Sequence, residues 1–65
     1  MTNKLNKFQR KQLDMIEVYL SHGMADTAAR SLSALIRSAS NCVQQTTLRE
    51  IAIQHNLHNL PEFIA

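Results

Sequence analysis

A single glycine separates two amphipathic stretches of this 65-residue chain. Glycine adopts the left-handed conformation that ends a helix without the penalty of a Cβ atom, so Gly23 is expected to close a turn between two helices. Apolar residues recur at helical spacing on both sides of it. They are Leu5, Phe8, Leu13, Ile16, Tyr19 and Leu20 before the glycine, and Ala28, Leu32, Leu35, Ile36 and Ala39 after it. The chain is therefore predicted to be all-α, with an antiparallel helical hairpin.

The ends of these two helices follow from their flanking residues. Helix 1 is predicted to begin at Asn3 or Asn6, because asparagine accepts a hydrogen bond from an otherwise unpaired backbone N–H, and to end near His22. Helix 2 is predicted to begin near residue 25. It should reach residue 40 or 41 and end between Asn41 and Gln45, because polar residues then fall where the apolar stripe would continue.

A short third helix is predicted to complete the fold. Thr47 and Glu50 have the spacing of a capping box, which places the start of this helix at Thr47. The alternative is one long bent helix over residues 26–55. After the third helix, Pro61 favours an extended backbone at Leu60. One domain covers residues 1–65, with residues 1–6 and 61–65 expected to be flexible.

The small size of the chain predicts self-association. A domain of this length buries only about 60% of the surface that its unfolded chain exposes, so it is marginally stable alone. Cys42 is the only cysteine, so no disulfide within the chain can add stability. We therefore expect a homodimer, with helix 1 as the interface because its apolar face is the wider one and contains Phe8, Met15 and Tyr19.

The sequence favours a cytoplasmic location. The first residues lack the apolar run of a signal peptide, and no apolar stretch approaches the roughly 18 residues that span a bilayer. A lone cysteine also fits a reducing compartment. We expect no membrane association.

The sequence contains no pattern typical of catalysis. Its serines, histidines and acids show neither nucleophile–base spacing nor a phosphate-binding loop. His55 and His58 are three residues apart, but nothing in the spacing supplies the further ligands of a zinc site, so His58 is expected to be exposed and His55 partly buried. Cys42 is expected to be a small buried apolar residue. No enzymatic activity, cofactor, metal or small-molecule substrate is predicted.

The N-terminal region is basic. Four cations and no acid lie within the first eleven residues, and this pattern is found both on solvated helix faces and on nucleic-acid-binding surfaces. Residues 47–52 also resemble the first helix of a helix-turn-helix, although no recognition helix follows. The alternative function is therefore a small basic DNA-binding or nucleoid-associated protein, and a structural or toxin–antitoxin-like subunit also stays open. The possible nucleic-acid contacts are Lys4, Lys7, Arg10 and Lys11.

The middle of the chain resembles the AraC negative regulators, a family of small helical virulence regulators. The resemblance covers about residues 16–49 and consists of Gly23, Ala28, Ala29, Leu32, Ala39, Asn41 and Arg49. The chain departs from the family pattern in having no tryptophan and an early cysteine. The resemblance implies a protein that binds an AraC-type activator, blocks its dimerisation or DNA binding, and also touches nucleoid proteins.

The residues themselves also favour a binding function. The chain has no predicted site chemistry, and its amphipathic helices carry more apolar residues than a small monomer easily hides; a helix face laid into a partner's groove is a common recognition mode. We therefore predict a small negative regulator of transcription that inhibits or modulates a transcription regulator by helical protein–protein contacts. The expected partner-binding residues are Phe8, Met15, Tyr19, Arg30 and Arg37.

Overall fold

Three α-helices form the fold of the part of the chain that the structure describes. The computed structural model describes residues 5–64, which contain no strand. Helix α1 spans Lys7–Ser21, α2 spans Ala25–Ser38 and α3 spans Cys42–Gln54, and a 3-10 turn follows at Leu57–Asn59. Helix α2 packs against α1, and also against α3 and the 3-10 turn. The prediction of an all-α hairpin with a short third helix is confirmed.

The turn between α1 and α2 depends on Gly23. Its φ of 73° lies in the left-handed region, where L side chains are strained. The carbonyl oxygen of Tyr19 accepts hydrogen bonds from the backbone N–H groups of His22 and Met24, at 3.1 and 2.8 Å. An added Cβ at Gly23 would meet no atom within 4 Å. Glycine is therefore favoured here by backbone conformation and not by lack of space.

Helix α1 begins with a reciprocal cap. Asn6 Oδ1 accepts from the Gln9 backbone N–H at 2.8 Å, and Gln9 Oε1 accepts from the Asn6 backbone N–H at 2.9 Å. These two bonds satisfy N–H groups that have no partner within the helix. Of the two predicted caps, Asn6 is confirmed, whereas Asn3 lies outside the described residues.

The boundary between α2 and α3 differs from the prediction. Helix α2 ends at Ser38, Ala39 has an extended backbone, and Asn41 caps α3 by accepting from the Gln44 backbone N–H at 2.8 Å. The start predicted at Thr47 is wrong, because Thr47 lies inside α3 and its hydroxyl donates to the Val43 carbonyl at 2.9 Å. A single bent helix over residues 26–55 is also wrong.

The core lies where α2 meets the other elements. Ala28 and Ala29 are completely buried, and their small side chains let neighbouring helices approach α2 closely. Helix α3 contributes Leu48 and Ala52, and the 3-10 turn contributes Leu57. The remaining buried apolar residues are Leu5, Leu13, Ile16, Leu32, Leu35, Ile36 and Ala39.

The chain folds back onto α2 after the 3-10 turn. Leu60 is extended before Pro61, as predicted. Phe63 packs against the core, and the Ile64 backbone N–H donates to Ser33 Oγ at 2.9 Å. That bond satisfies a buried serine hydroxyl on α2. The flexibility expected for residues 1–6 and 61–65 stays a prediction, and residues 1–4 and 65 lie outside the described part of the chain.

Candidate protein-binding surface

Phe8 and Met15 form an exposed apolar row along α1. The residues of α1 that face the core are Leu13 and Ile16, together with Gln9. Phe8 and Met15, seven residues apart and therefore two turns apart on one side of the helix, lie beside this buried row. Phe8 is 62% exposed and Met15 is 44% exposed. Both predicted contact residues are thus available to a partner.

A shallow depression lies between Phe8 and helix α2. Its volume is about 370 Å³, and α2 contributes mainly small side chains to it: Ser31, Ala34 and Ser38. Gln12 and Leu35 complete the lining. A bulky side chain from another protein can approach here without displacing large residues. We call Phe8, Met15 and this depression the α1–α2 surface.

The two predicted arginines lie next to the α1–α2 surface. Arg30 and Arg37 are four residues before and three residues after Ala34, so all three occupy neighbouring positions on α2. All three are exposed. Tyr19 differs, because its ring is half-buried and packs against the core, so it offers less surface to a partner than expected.

The basic residues of α1 line a different groove. This groove has a volume of about 650 Å³ and runs between α1 and the C-terminal half of α3. Lys7, Arg10 and Lys11 share it with the acids Asp14 and Glu17. Three of the four predicted nucleic-acid contacts are thus brought together, beside two negative charges. Lys4 lies outside the described residues.

The histidines and the cysteine do not assemble into a site within residues 5–64. No three side chains of the metal-binding types His, Cys, Asp and Glu cluster there. His58 is exposed as predicted, but His55 is also exposed, because it caps the C-terminus of α3 instead of packing against it. The buried position expected for Cys42 is wrong as well: Cys42 is the first residue of α3 and is exposed.

Sequence reasoning missed part of the exposed apolar surface. The spacing of Val43 would continue the apolar stripe of helix 2, but Val43 lies in the first turn of α3 and is exposed. Ile53, also on α3, is 56% exposed. A cap at Asn41 starts a new helix at residue 42 and shifts the phase of the helical pattern from there onward. This cap is the sequence signal for the exposed positions of Val43 and Ile53.

Comparisons with family models, curated proteins and solved structures find no match to this chain. Within residues 5–64, none of the helices has the length and apolar character needed to cross a bilayer.

Proposed function

We propose that this chain is a small, non-enzymatic negative regulator of transcription that binds a transcription regulator through its α1–α2 surface. The observation that carries the proposal is the combination of Phe8 and Met15, both exposed on one side of α1 two turns apart, with Arg30 and Arg37 nearby. Aromatic residues, methionine and arginine are enriched at the cores of protein interfaces. Arginine is also among the residues whose truncation weakens binding most.

The proposed partner is an AraC-type activator in the cytoplasm. The resemblance of residues 16–49 to the AraC negative regulators supports this choice. A small helical protein can inhibit such an activator by covering a helix needed for dimerisation or DNA contact, since an amphipathic helix readily binds a partner's groove. The depression beside Phe8 provides a place for one bulky side chain of that partner.

The alternative is direct binding to nucleic acid by the α1–α3 groove. The observation in its favour is that Lys7, Arg10 and Lys11 line the same groove. The presence of Asp14 and Glu17 beside them weakens attraction for phosphates. Binding of this kind would be independent of sequence and would fall steeply with salt.

The test measures DNA binding by purified AraC-type activators on their own promoter fragments while this chain is titrated in. We expect the chain to release the DNA from at least one activator of a panel. Phe8→Ser should abolish this effect. The matched control Ile53→Ser changes a similarly exposed apolar residue on α3 and should retain it.

Two results would contradict the proposal. One is that no activator responds to the chain. The other is that the chain itself shifts the DNA at near-physiological salt and that K7E/R10E/K11E, rather than Phe8→Ser, removes the shift. The second result would establish the nucleic-acid alternative.

A further inference from the structure

Helices α1 and α3 both pack against α2 but not against each other. A hydrogen bond from Gln9 Nε2 to Gln44 Oε1 joins their first turns, yet no Cα atom of α1 lies within 8 Å of a Cα atom of α3. Helices that pack directly have axes about 8–10 Å apart. The α1–α3 groove is the gap that results, and it follows α1 from Lys7 to Glu17, a length of about 15 Å at 1.5 Å per residue.

The groove combines an apolar floor with a charged wall. Leu13 and Ile16 of α1 and Ile51 of α3 form the floor. Exposed charged residues of α1 form the wall, with three cations followed by two acids: Lys7, Arg10, Lys11, Asp14 and Glu17. In the part of the chain that the structure describes, none of these five side chains forms an ion pair. Both signs of charge are therefore available to a partner, in a fixed order along the groove.

We propose that the α1–α3 groove binds one amphipathic helix of a partner protein, with acidic residues in one half of that helix and basic residues in the other. The acidic half lies against the three cations of α1, and the basic half lies against Asp14 and Glu17. A nucleic acid or a uniformly acidic peptide would place negative charge beside these two carboxylates, and juxtaposed like charges are unfavourable. The order of charges along the wall therefore selects a partner that carries both signs.

The walls of the groove favour a helix over an extended segment. Backbone N–H and C=O groups that leave water need hydrogen-bond partners. An extended peptide finds them at the edge of a sheet, but residues 5–64 contain no strand. A helix pairs its own backbone groups, and its apolar row can lie on the floor of the groove. About three turns match the groove length, since one turn rises about 5.4 Å.

This site is separate from the α1–α2 surface. Phe8 and Met15 lie on one side of the buried row of α1, which contains Leu13 and Ile16, whereas Arg10 and Asp14 lie on the other side of it. The inference therefore goes beyond the proposed function and does not depend on it. One helix of this chain presents two different proteins with two different faces.

Designed helical peptides of about 12 residues, long enough for three turns, test the inference by titration into the ¹⁵N-labelled full chain. The peptides share one apolar row and differ in their flanking charges. The mixed peptide has glutamates in its first half and lysines in its second, and the two uniform peptides carry only glutamates or only lysines. The mixed peptide should bind one-to-one, about tenfold more tightly than either uniform peptide, because only it complements both parts of the wall. The largest amide shifts should occur at Arg10, Asp14, Ile51 and His55.

Charge reversal in the chain tests the complementarity. K7E/K11E should weaken the mixed peptide about tenfold and strengthen the all-lysine peptide, and D14K/E17K should strengthen the all-glutamate peptide. Arg49→Glu, at an exposed arginine outside the groove, and Phe8→Ser, on the α1–α2 surface, are the controls and should leave binding of the mixed peptide unchanged. Circular dichroism checks that each variant keeps its helices.

Several results would overturn the inference. They are no saturable binding of the mixed peptide, equal affinity for the three peptides, and amide shifts centred on Phe8 and Ala34. Displacement of the mixed peptide by duplex DNA at near-physiological salt would assign the groove to nucleic acid instead. Sedimentation of the chain as a dimer that the mixed peptide dissociates would assign it to a second copy.

Discussion

At the scale of single residues, Gln9 links the beginnings of two helices. Its side chain is 4% exposed, unusual for a glutamine. Its Oε1 accepts from the Asn6 backbone, and its Nε2 donates to Gln44 Oε1 at 3.1 Å. Asn41 and Gln44 repeat the spacing of Asn6 and Gln9. The hydrogen bond therefore joins two glutamines that each occupy the third position of a capped helix. This hydrogen bond joins the start of α1 to the start of α3.

The cap at Asn6 gives a direct prediction. Asn6→Ala removes the side-chain acceptor and leaves the Gln9 backbone N–H without its cap. It should reduce the free energy of unfolding by about 0.5–2 kcal/mol. Urea unfolding followed by circular dichroism measures the change. Ser40→Ala, at an exposed position between α2 and α3, is the control and should have little effect; equal losses in both variants would refute the role of the cap.

Gly23 gives a second prediction. Gly23→Ala should destabilise the protein by about 1 kcal/mol, because an alanine at positive φ is strained even where there is space for its Cβ. Gly23→Asn should cost less, since asparagine tolerates the left-handed region. Thermal and urea unfolding compare the two variants. If alanine is tolerated as well as glycine, then the turn does not depend on left-handed backbone.

At the scale of elements, the hairpin was predictable and the end of α2 was not. The hairpin follows from one glycine between two apolar stripes. The end of α2 is hidden because Ala39 is buried although it lies beyond the helix. The stripe of Leu32, Leu35 and Ala39 therefore continues in phase past Ser38, and periodicity alone extends the helix too far. Asn41, a residue type favoured at helix N-caps, is the other sequence feature that indicates this boundary. The Thr47–Glu50 pair matches the capping-box pattern and therefore pointed to a later helix start.

The α2–α3 boundary gives a third prediction. Asn41→Ala should lower stability by about 1 kcal/mol, because it removes the cap of α3. Thr47→Ala should change stability by no more than about 0.5 kcal/mol, because its hydroxyl only donates back to the preceding turn. Urea unfolding of the two variants discriminates between the boundaries. A larger loss of stability for Thr47→Ala than for Asn41→Ala would indicate that α3 starts at residue 47.

The candidate surface was predicted only in part. Phe8, Met15 and Tyr19 share one row of helix 1, and the sequence presents that row as part of one broad apolar face. Contacts with α2 decide which part is buried: the neighbouring row containing Leu13 and Ile16 enters the core, and Tyr19 partly follows it. Sequence alone does not reveal this rotation, because both rows are apolar.

At the scale of the whole molecule, one small core supports all three helices. Leu32 on α2 is completely buried. Leu32→Ala should cost about 2–5 kcal/mol, through lost burial and the cavity left behind. For a domain with the usual margin of about 5–15 kcal/mol or less, this is enough to populate unfolded chains. Thermal unfolding measures the effect. The control Ile53→Ala truncates an exposed aliphatic residue and should change stability little. A larger loss of stability for Ile53→Ala than for Leu32→Ala would contradict this packing.

NMR mapping tests most directly the proposal that the α1–α2 surface is the binding site of the protein. Unlabelled AraC-type activator is titrated into the ¹⁵N-labelled chain, and backbone amide shifts and line widths are followed residue by residue. We expect the largest changes at Phe8, Met15, Ser31 and Ala34, and we expect Phe8→Ser to abolish them. Changes concentrated instead along the α1–α3 groove, at Arg10 and Gln54, or no changes with any activator that the chain inhibits, would contradict it.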